Sequence, residues 1–183
     1  MKKALLNIDY TYDFVAPESK LTCGEPGQKL LPYICNVTKT FIENKDLVVF
    51  SIDLHKEDDT YHPESKQFPP HNIENTMGRE LYNDLNNLYQ ANIEKDNVLW
   101  SDKTRFSAFA GTDLEIKLRE RGIQELHLVG VCTDICILHT AVDAYNKGFK
   151  IVIHEQGVAS FNQAGHDWAL AHFKNTLGAE VIN

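Results

Sequence analysis

Nowhere in this chain do about 18 apolar residues follow one another, so no stretch has the length and greasiness of a membrane-crossing helix. Basic residues are also scarce. With 18 Lys and Arg against 26 Asp and Glu the formal charge is −8, which argues against a partner gripped through its phosphates and hence against nucleic acid. Cysteine is limited to Cys23, Cys35, Cys132 and Cys136, with neither a C-x-x-C pair nor zinc-finger spacing; these read as free thiols, not as a disulfide framework. Met1-Lys2-Lys3 runs straight into a short strand instead of the apolar core of a signal peptide, and a cytoplasmic protein without membrane partners is expected. Internal repeats, linkers and low-complexity segments are missing as well. An apolar content of 43% with 24% charged residues excludes disordered and fibrous classes, and 183 residues suit one domain spanning 1–183.

What is present organises itself around Leu128 to Phe149. Leu126-His127-Leu128-Val129-Gly130-Val131 reads as a buried strand, Cys132, Thr133 and Asp134 as a turn, and Ile137, Ala141, Ala144 and Tyr145 as one face of a helix stopped by Lys147-Gly148. Cys136 falls where strand passes into helix, the end of an open α/β sheet that carries chemistry. A thiol in a first helical turn feels the positive end of the helix dipole, which favours thiolate. An inert, packed cysteine is the competing reading.

The remaining pattern alternates. Strands are expected at Ala4–Ile8, Leu47–Asp53, Asn97–Trp100, Glu125–Val131, Lys150–His154 and Ala179–Ile182. Helices are expected at Lys29–Asn44, Arg79–Gln90, Asp113–Arg121 with Thr112 as N-cap and Glu115 completing a capping box, Cys136–Lys147, and about Asn162–Leu177. Ala16–Gly27 is rich in Pro and Gly and reads as a loop. Such alternation predicts an α/β fold, a three-layer α/β/α sandwich on a mostly parallel sheet of about six strands. Asp9 then stands at the end of the first strand and Lys103 just past the third.

Between Asp53 and Gly78 no helix or strand is evident, and a segment that long inside a compact chain is usually functional. Asp53 and His55 share a face if the strand runs through both, and His71 can close a three-ligand site for zinc, manganese or iron, with His62 and Glu64 as alternates or supporting partners. A solvated acidic loop with merely titrating histidines is the plainer alternative.

Four segments together resemble one family. They are A-L-L-N-I-D-Y-T-Y-D-F, then D-L-H followed by H-P-E-S and F-P-P-H, then W-S-D-K-T-R-F-S-A-F-A-G-T-D-L, and finally G-V-C-T-D-I-C-I-L-H-T-A. Their content and order are similar to those of the nicotinamidases, also called pyrazinamidases, within the isochorismatase-like cysteine hydrolases, over nearly the whole chain. The resemblance implies hydrolysis of nicotinamide to nicotinate and ammonia through a thioester, and an isochorismatase-like fold. It implies Cys136 as nucleophile, Asp9 as proton shuttle and Lys103 as the cation holding the arrangement, with backbone N–H groups of Cys132 and Cys136 forming the oxyanion hole and a cis Val131–Cys132 peptide. Also implied are one divalent metal, zinc first, on Asp53, His55, His71 and Glu64, which would grip the pyridine nitrogen, and Phe14, Phe68 and Phe106 stacking on the ring. Relatives often carry tyrosine where Phe106 stands. The Cys132 sulfur, Asp134 and His139 are left without a catalytic part. A related amidohydrolase acting on ureido or carbamoyl compounds, and a thiol sensor using Cys132 and Cys136, are the competing readings. Oligomeric state is open, with a homo-oligomer within the range of small α/β hydrolases.

Overall fold

A computed structural model describes all 183 residues. Six strands form one sheet: β1 Lys3–Ile8, β2 Leu47–Asp53, β3 Val98–Lys103, β4 Glu125–Val131, β5 Lys150–Ala159 and β6 Glu180–Ile182. Their order is β3-β2-β1-β4-β5-β6, and every neighbouring pair is parallel. Parallel neighbours require crossovers, supplied here by α1 Tyr12–Val15, α2 Gly24–Gln28, α3 Leu31–Glu43, α4 Asp84–Gln90, α5 Leu114–Glu120, α6 Leu138–Asn146 and α7 Gln163–Asn175.

A sheet covered on both faces needs strands that are apolar throughout, and β1 shows how the alternation is used. Ala4, Leu6 and Ile8 join one core with Leu114 and Leu118 of α5, Ala141 and Ala144 of α6, and Ala169 and Phe173 of α7. Leu5 points the other way, into a second core with Ile34, Phe41 and Ile42 of α3 and Leu85 and Tyr89 of α4. Only Asn7 breaks the apolar run, and its Oδ1 accepts from Thr38 Oγ1 at 3.2 Å.

The chain winds outward from β1 in one direction through β2 and β3, then returns to β1's other side to lay down β4, β5 and β6. The order therefore reverses between β1 and β4, the place where an open α/β sheet leaves a crevice beyond its strand ends. Gly130 makes this approach feasible. At φ +122° a side chain is rarely tolerated, and a Cβ there would stand 1.9 Å from the Ile8 carbonyl oxygen.

The alternation expected from sequence is observed, and its departures have local causes. Tyr12–Val15 and Gly24–Gln28 are short helices in segments too rich in Pro and Gly, or too short, to show a period. The helix expected from Arg79 begins only at Asp84, because Met77–Arg79 forms a separate 3₁₀ turn. β3 runs on to Lys103 and β5 to Ala159. Thr112 Oγ1 does accept from the Leu114 N–H at 3.3 Å, but Asp113 occupies the N-cap position and Glu115 pairs with Lys147 at 2.7 Å, so the capping box does not form. No helix is long and apolar enough to cross a membrane. Replacing Gly130 by alanine is expected to cost roughly 3 kcal/mol or more, since the new methyl meets backbone and not a yielding side chain; a denaturant midpoint unchanged from wild type would contradict the close packing of β1 on β4.

Candidate active site

Three strand ends converge on one buried ammonium group. β2 and β3 pair Asp53 with Lys103 directly, so their side chains leave the sheet side by side. Asp9 follows β1 in a left-handed conformation, φ 54°, uncommon for a residue with a side chain. Its Oδ1 accepts from the Asp53 N–H at 2.8 Å, which turns the carboxylate toward β2. Lys103 Nζ then lies 2.5 Å from Asp53 Oδ1 and 2.7 Å from Asp9 Oδ2, with all three side chains shut off from solvent. Nζ also stands 3.8 Å from Cys136 Sγ, and one oxygen each of Asp9 and Asp53 lies within 4.8 Å of that sulfur.

Burial alone would push Lys103 toward its neutral form; the Asp53 and Asp9 charges outweigh it and hold the ammonium protonated well above the ordinary lysine range. Asp53 experiences the same burial, but the Lys103 ammonium beside it keeps it below the usual carboxylate range. Asp9 differs. Burial, then repulsion from Asp53, raise it to about 6 despite Lys103. Two neighbouring carboxylates thus titrate apart, one fixed as an anion and the other able to gain and lose a proton near neutrality.

Cys136 does not sit in an ordinary first helical turn. It belongs to a π-helical turn, Thr133–Ile137, placed between β4 and α6, with Cys132 preceding it in extended conformation and the Val131–Cys132 peptide cis. The dipole argument for thiolate is overruled here: burial raises Cys136 well above the ordinary thiol range, and Asp9 and Asp53 add to the rise while Lys103 opposes it. The resting group is a thiol with a proton acceptor beside it.

The long segment after β2 is folded back by backbone pairing. His55 N–H donates to Asn72 O at 3.1 Å and Glu74 N–H to His55 O at 2.9 Å, which brings His71 under His55. A 3₁₀ turn, Pro63–Lys66, delivers Glu64, and His62 caps it by accepting from the Glu64 N–H at 3.2 Å while its Nε2 donates to Thr104 O at 2.6 Å. The result is Asp53, His55, Glu64 and His71 with one ligand atom each inside a 4.8 Å cluster. His71 Nδ1 donates to Pro69 O at 2.8 Å, which leaves its Nε2 with a lone pair, 3.4 Å from Glu64 Oε2. Asp53 Oδ2 and His55 Nε2 are buried with no hydrogen-bond partner. Orphaned buried ligand atoms on a carboxylate and an imidazole are what a divalent cation would satisfy, so the residues fit a metal.

One cavity, about 410 Å³ including its mouth, opens over both clusters. Cys136, Asp53, Glu64 and His71 reach it, and Phe14, Phe68 and Phe106 line it, so these sequence-selected residues come together there while His55, Asp9 and Lys103 stay buried outside its lining. Leu21, Ile135 and Phe161 line it too and were not selected from sequence. Leu21 is hidden in a Pro- and Gly-rich loop, and Phe161, 58% exposed, gives no periodic signal at the junction of β5 and α7. The Cys132 sulfur, given no catalytic part from sequence, touches Cys23 Sγ at 3.0 Å and so packs α2's N-terminus against the π-helical turn that carries Cys136. Asp134 packs against Gly165, and His139 Nδ1 donates to Ile135 O at 2.8 Å; neither lines this cavity.

A six-stranded parallel three-layer fold with a thiol, a carboxylate titrating near neutrality and a lysine at its switch point defines an α/β protein equipped for nucleophilic acyl chemistry. Residues 3–183 match the isochorismatase domain, and the chain belongs to the isochorismatase family. It is 65% identical over 181 residues, 99% of each chain, to an uncharacterized isochorismatase family protein, PncA, of Bacillus subtilis. A crystal structure of the nicotinamidase/pyrazinamidase PncA from Bacillus subtilis superposes with a TM-score of 0.99 at 61% identity over 100% of both chains. A pyrazinamidase of Pyrococcus horikoshii in complex with zinc matches with a TM-score of 0.86 at 26% identity, over 100% of this chain and 99% of that one.

With Cys136 held as a thiol, its alkylation by iodoacetamide should remain slow at neutral pH and rise steeply only above about pH 9. Lys103→Met, by removing the one cation that favours thiolate, should displace the profile further upward; a wild-type plateau below pH 8 would disprove the protonated resting state.

Proposed function

We propose that the protein is a nicotinamidase that also accepts pyrazinamide, with Cys136 as nucleophile, Asp9 as general base and acid, and Lys103 as the buried cation that fixes Asp9. The observation that carries this reading is the sharing of Asp53 between two clusters: one oxygen holds Lys103, and the other faces His55 in the ligand group. A substrate held over the ligand group by a ring nitrogen therefore places its amide toward Cys136, because both open on the same cavity.

Asp9 takes the thiol proton as Sγ attacks the amide carbon, and the carbonyl oxygen becomes an oxyanion received by the backbone N–H groups of Cys132 and Cys136. When the tetrahedral centre collapses, the C–N bond breaks and Asp9 returns the proton to the departing ammonia, leaving a thioester on Cys136. Water then attacks the thioester with Asp9 as base, and nicotinate leaves as the thiol is restored. Phe14, Phe68 and Phe106 offer aromatic faces to the ring. A divalent ion on Asp53, His55, Glu64 and His71, zinc in the first place, would supply a Lewis acid for the pyridine nitrogen, a binding role rather than activation of the nucleophile. Four free thiols suit the reducing cytoplasm.

Ammonia release from nicotinamide should fall by about 10⁴-fold or more in Cys136→Ala with the fold intact; normal turnover by that variant would end the proposal. Because Asp9 must be ionised to accept a proton, kcat/KM should drop about tenfold per pH unit below its value of about 6. Removing metal with a chelator should raise KM for nicotinamide by about 10- to 100-fold, or about 1.4–2.7 kcal/mol of binding. Indifference of KM to complete metal loss would remove the anchoring role, and greater activity on a ureido compound would transfer the reading to the carbamoyl branch.

A further inference from the structure

Two cavities meet at the ligand group. The first is the apolar cavity above Cys136. The second, about 630 Å³, lies on the other side and continues over Glu57, Asp58 and Asp59. The ligand residues form the partition: Asp53 reaches only the first cavity, His55 only the second, and Glu64 and His71 both. His55 carries the buried Nε2 that has no partner, on a side chain 8% exposed.

We propose that the second cavity is a cation-entry vestibule, through which a hydrated divalent ion reaches Asp53, His55, Glu64 and His71 without crossing the cavity used by the organic substrate. The inference rests on the metal reading given above. Its physical basis is the contrast between the two walls. An ion crossing the first cavity would pass Phe14, Phe106 and Ile135, none of which reaches the second and none of which offers anything in exchange for its water. The second wall carries four carboxylates, Glu57, Asp58, Asp59 and Glu64, against the single ammonium of Lys56, and so is three charges negative. A concave surface of one sign concentrates counter-ions and raises their rate of arrival, and carboxylates replace water ligands stepwise. Glu57 and Asp58 are exposed, whereas Asp59 is bound up in accepting from the Tyr61 and His62 N–H groups at 2.9 and 3.1 Å. Recruitment therefore falls to Glu57 and Asp58. Metal and substrate then come and go by separate doors, and an ion can exchange beneath a bound ring.

The test uses full-length apoprotein mixed with Zn²⁺ in a stopped-flow instrument, with a weak fluorescent zinc indicator reporting uptake, at about 20 mM and about 500 mM salt so that screening is the variable. The double variant Glu57→Gln/Asp58→Asn should take up zinc about 3- to 10-fold more slowly at low salt and match wild type at high salt, with the unfolding midpoint unchanged. A second arm leaves the sequence alone: wild type alkylated on Cys136 with a bulky iodoacetamide at alkaline pH, then returned to neutrality, should bind zinc at the unmodified rate. If wild type binds no zinc at equilibrium, the metal reading itself fails. If it binds zinc, but the double variant is as fast as wild type at low salt or the bulky group on Cys136 blocks uptake, entry is through the substrate cavity and the vestibule is overturned.

Discussion

Everything at the site depends on one buried ammonium shared by two carboxylates. Lys103 is clasped between Asp9 and Asp53, and these three residues terminate β1, β2 and β3, three adjacent strands of the sheet. Removing Lys103 would leave two carboxylates facing one another in a dry interior with no cation between them, at a cost of about 3–5 kcal/mol. The ion cluster therefore fixes the relative height of three strand ends, and through Asp53 it ties the thiol side of the cavity to the ligand side.

Burial acts on these groups in opposite senses, and the outcome is a division of labour. Lys103 and Asp53 have enough opposite charge nearby to stay ionised. Asp9 and Cys136 are both raised by burial, which leaves Asp9 near 6 and able to accept a proton at neutrality while Cys136 keeps its own. A proton can pass from the Cys136 thiol to Asp9 over a short distance, the negative charge moving the other way beside the fixed cation of Lys103. The apolar wall of Phe14, Phe68 and Phe106 strengthens each of these effects by excluding water.

Much of this was legible in the sequence for plain reasons. β1, β2 and β4 are buried on both faces, so they appear as apolar runs, and a polar residue directly after such a run, as at Asp9 and Asp53, marks a strand end. Cys136 and the D-x-H with its later Glu64 and His71 stood out through residue type and through the four segments in order. What the sequence did not reveal are relations between distant positions. Nothing in the spacing of Asp53 and Lys103 says that they pair directly across β2 and β3, or that Asp53 serves two clusters. β5 continues to Ala159 although Glu155-Gln156-Gly157 interrupts its alternation, where its register against β4 also shifts. The thiol state of Cys136 depends on how deeply the π-helical turn is buried, a property of packing that no local pattern encodes.

The position of β1 has a consequence for how the molecule is made. β1 is at the centre of the sheet and precedes the other five strands along the chain, yet its partners begin at Leu47 and Glu125. A strand flanked by such distant partners cannot complete its hydrogen bonding until about two-thirds of the chain has emerged, so contacts of long sequence separation dominate assembly. The left-handed turn at Asp9 and the glycine opposite Ile8 wait equally long to be matched. Folding and assembly of the site are thus the same late event, and a nascent chain that stops short of β4 carries an unpaired central strand without Cys136 beside it.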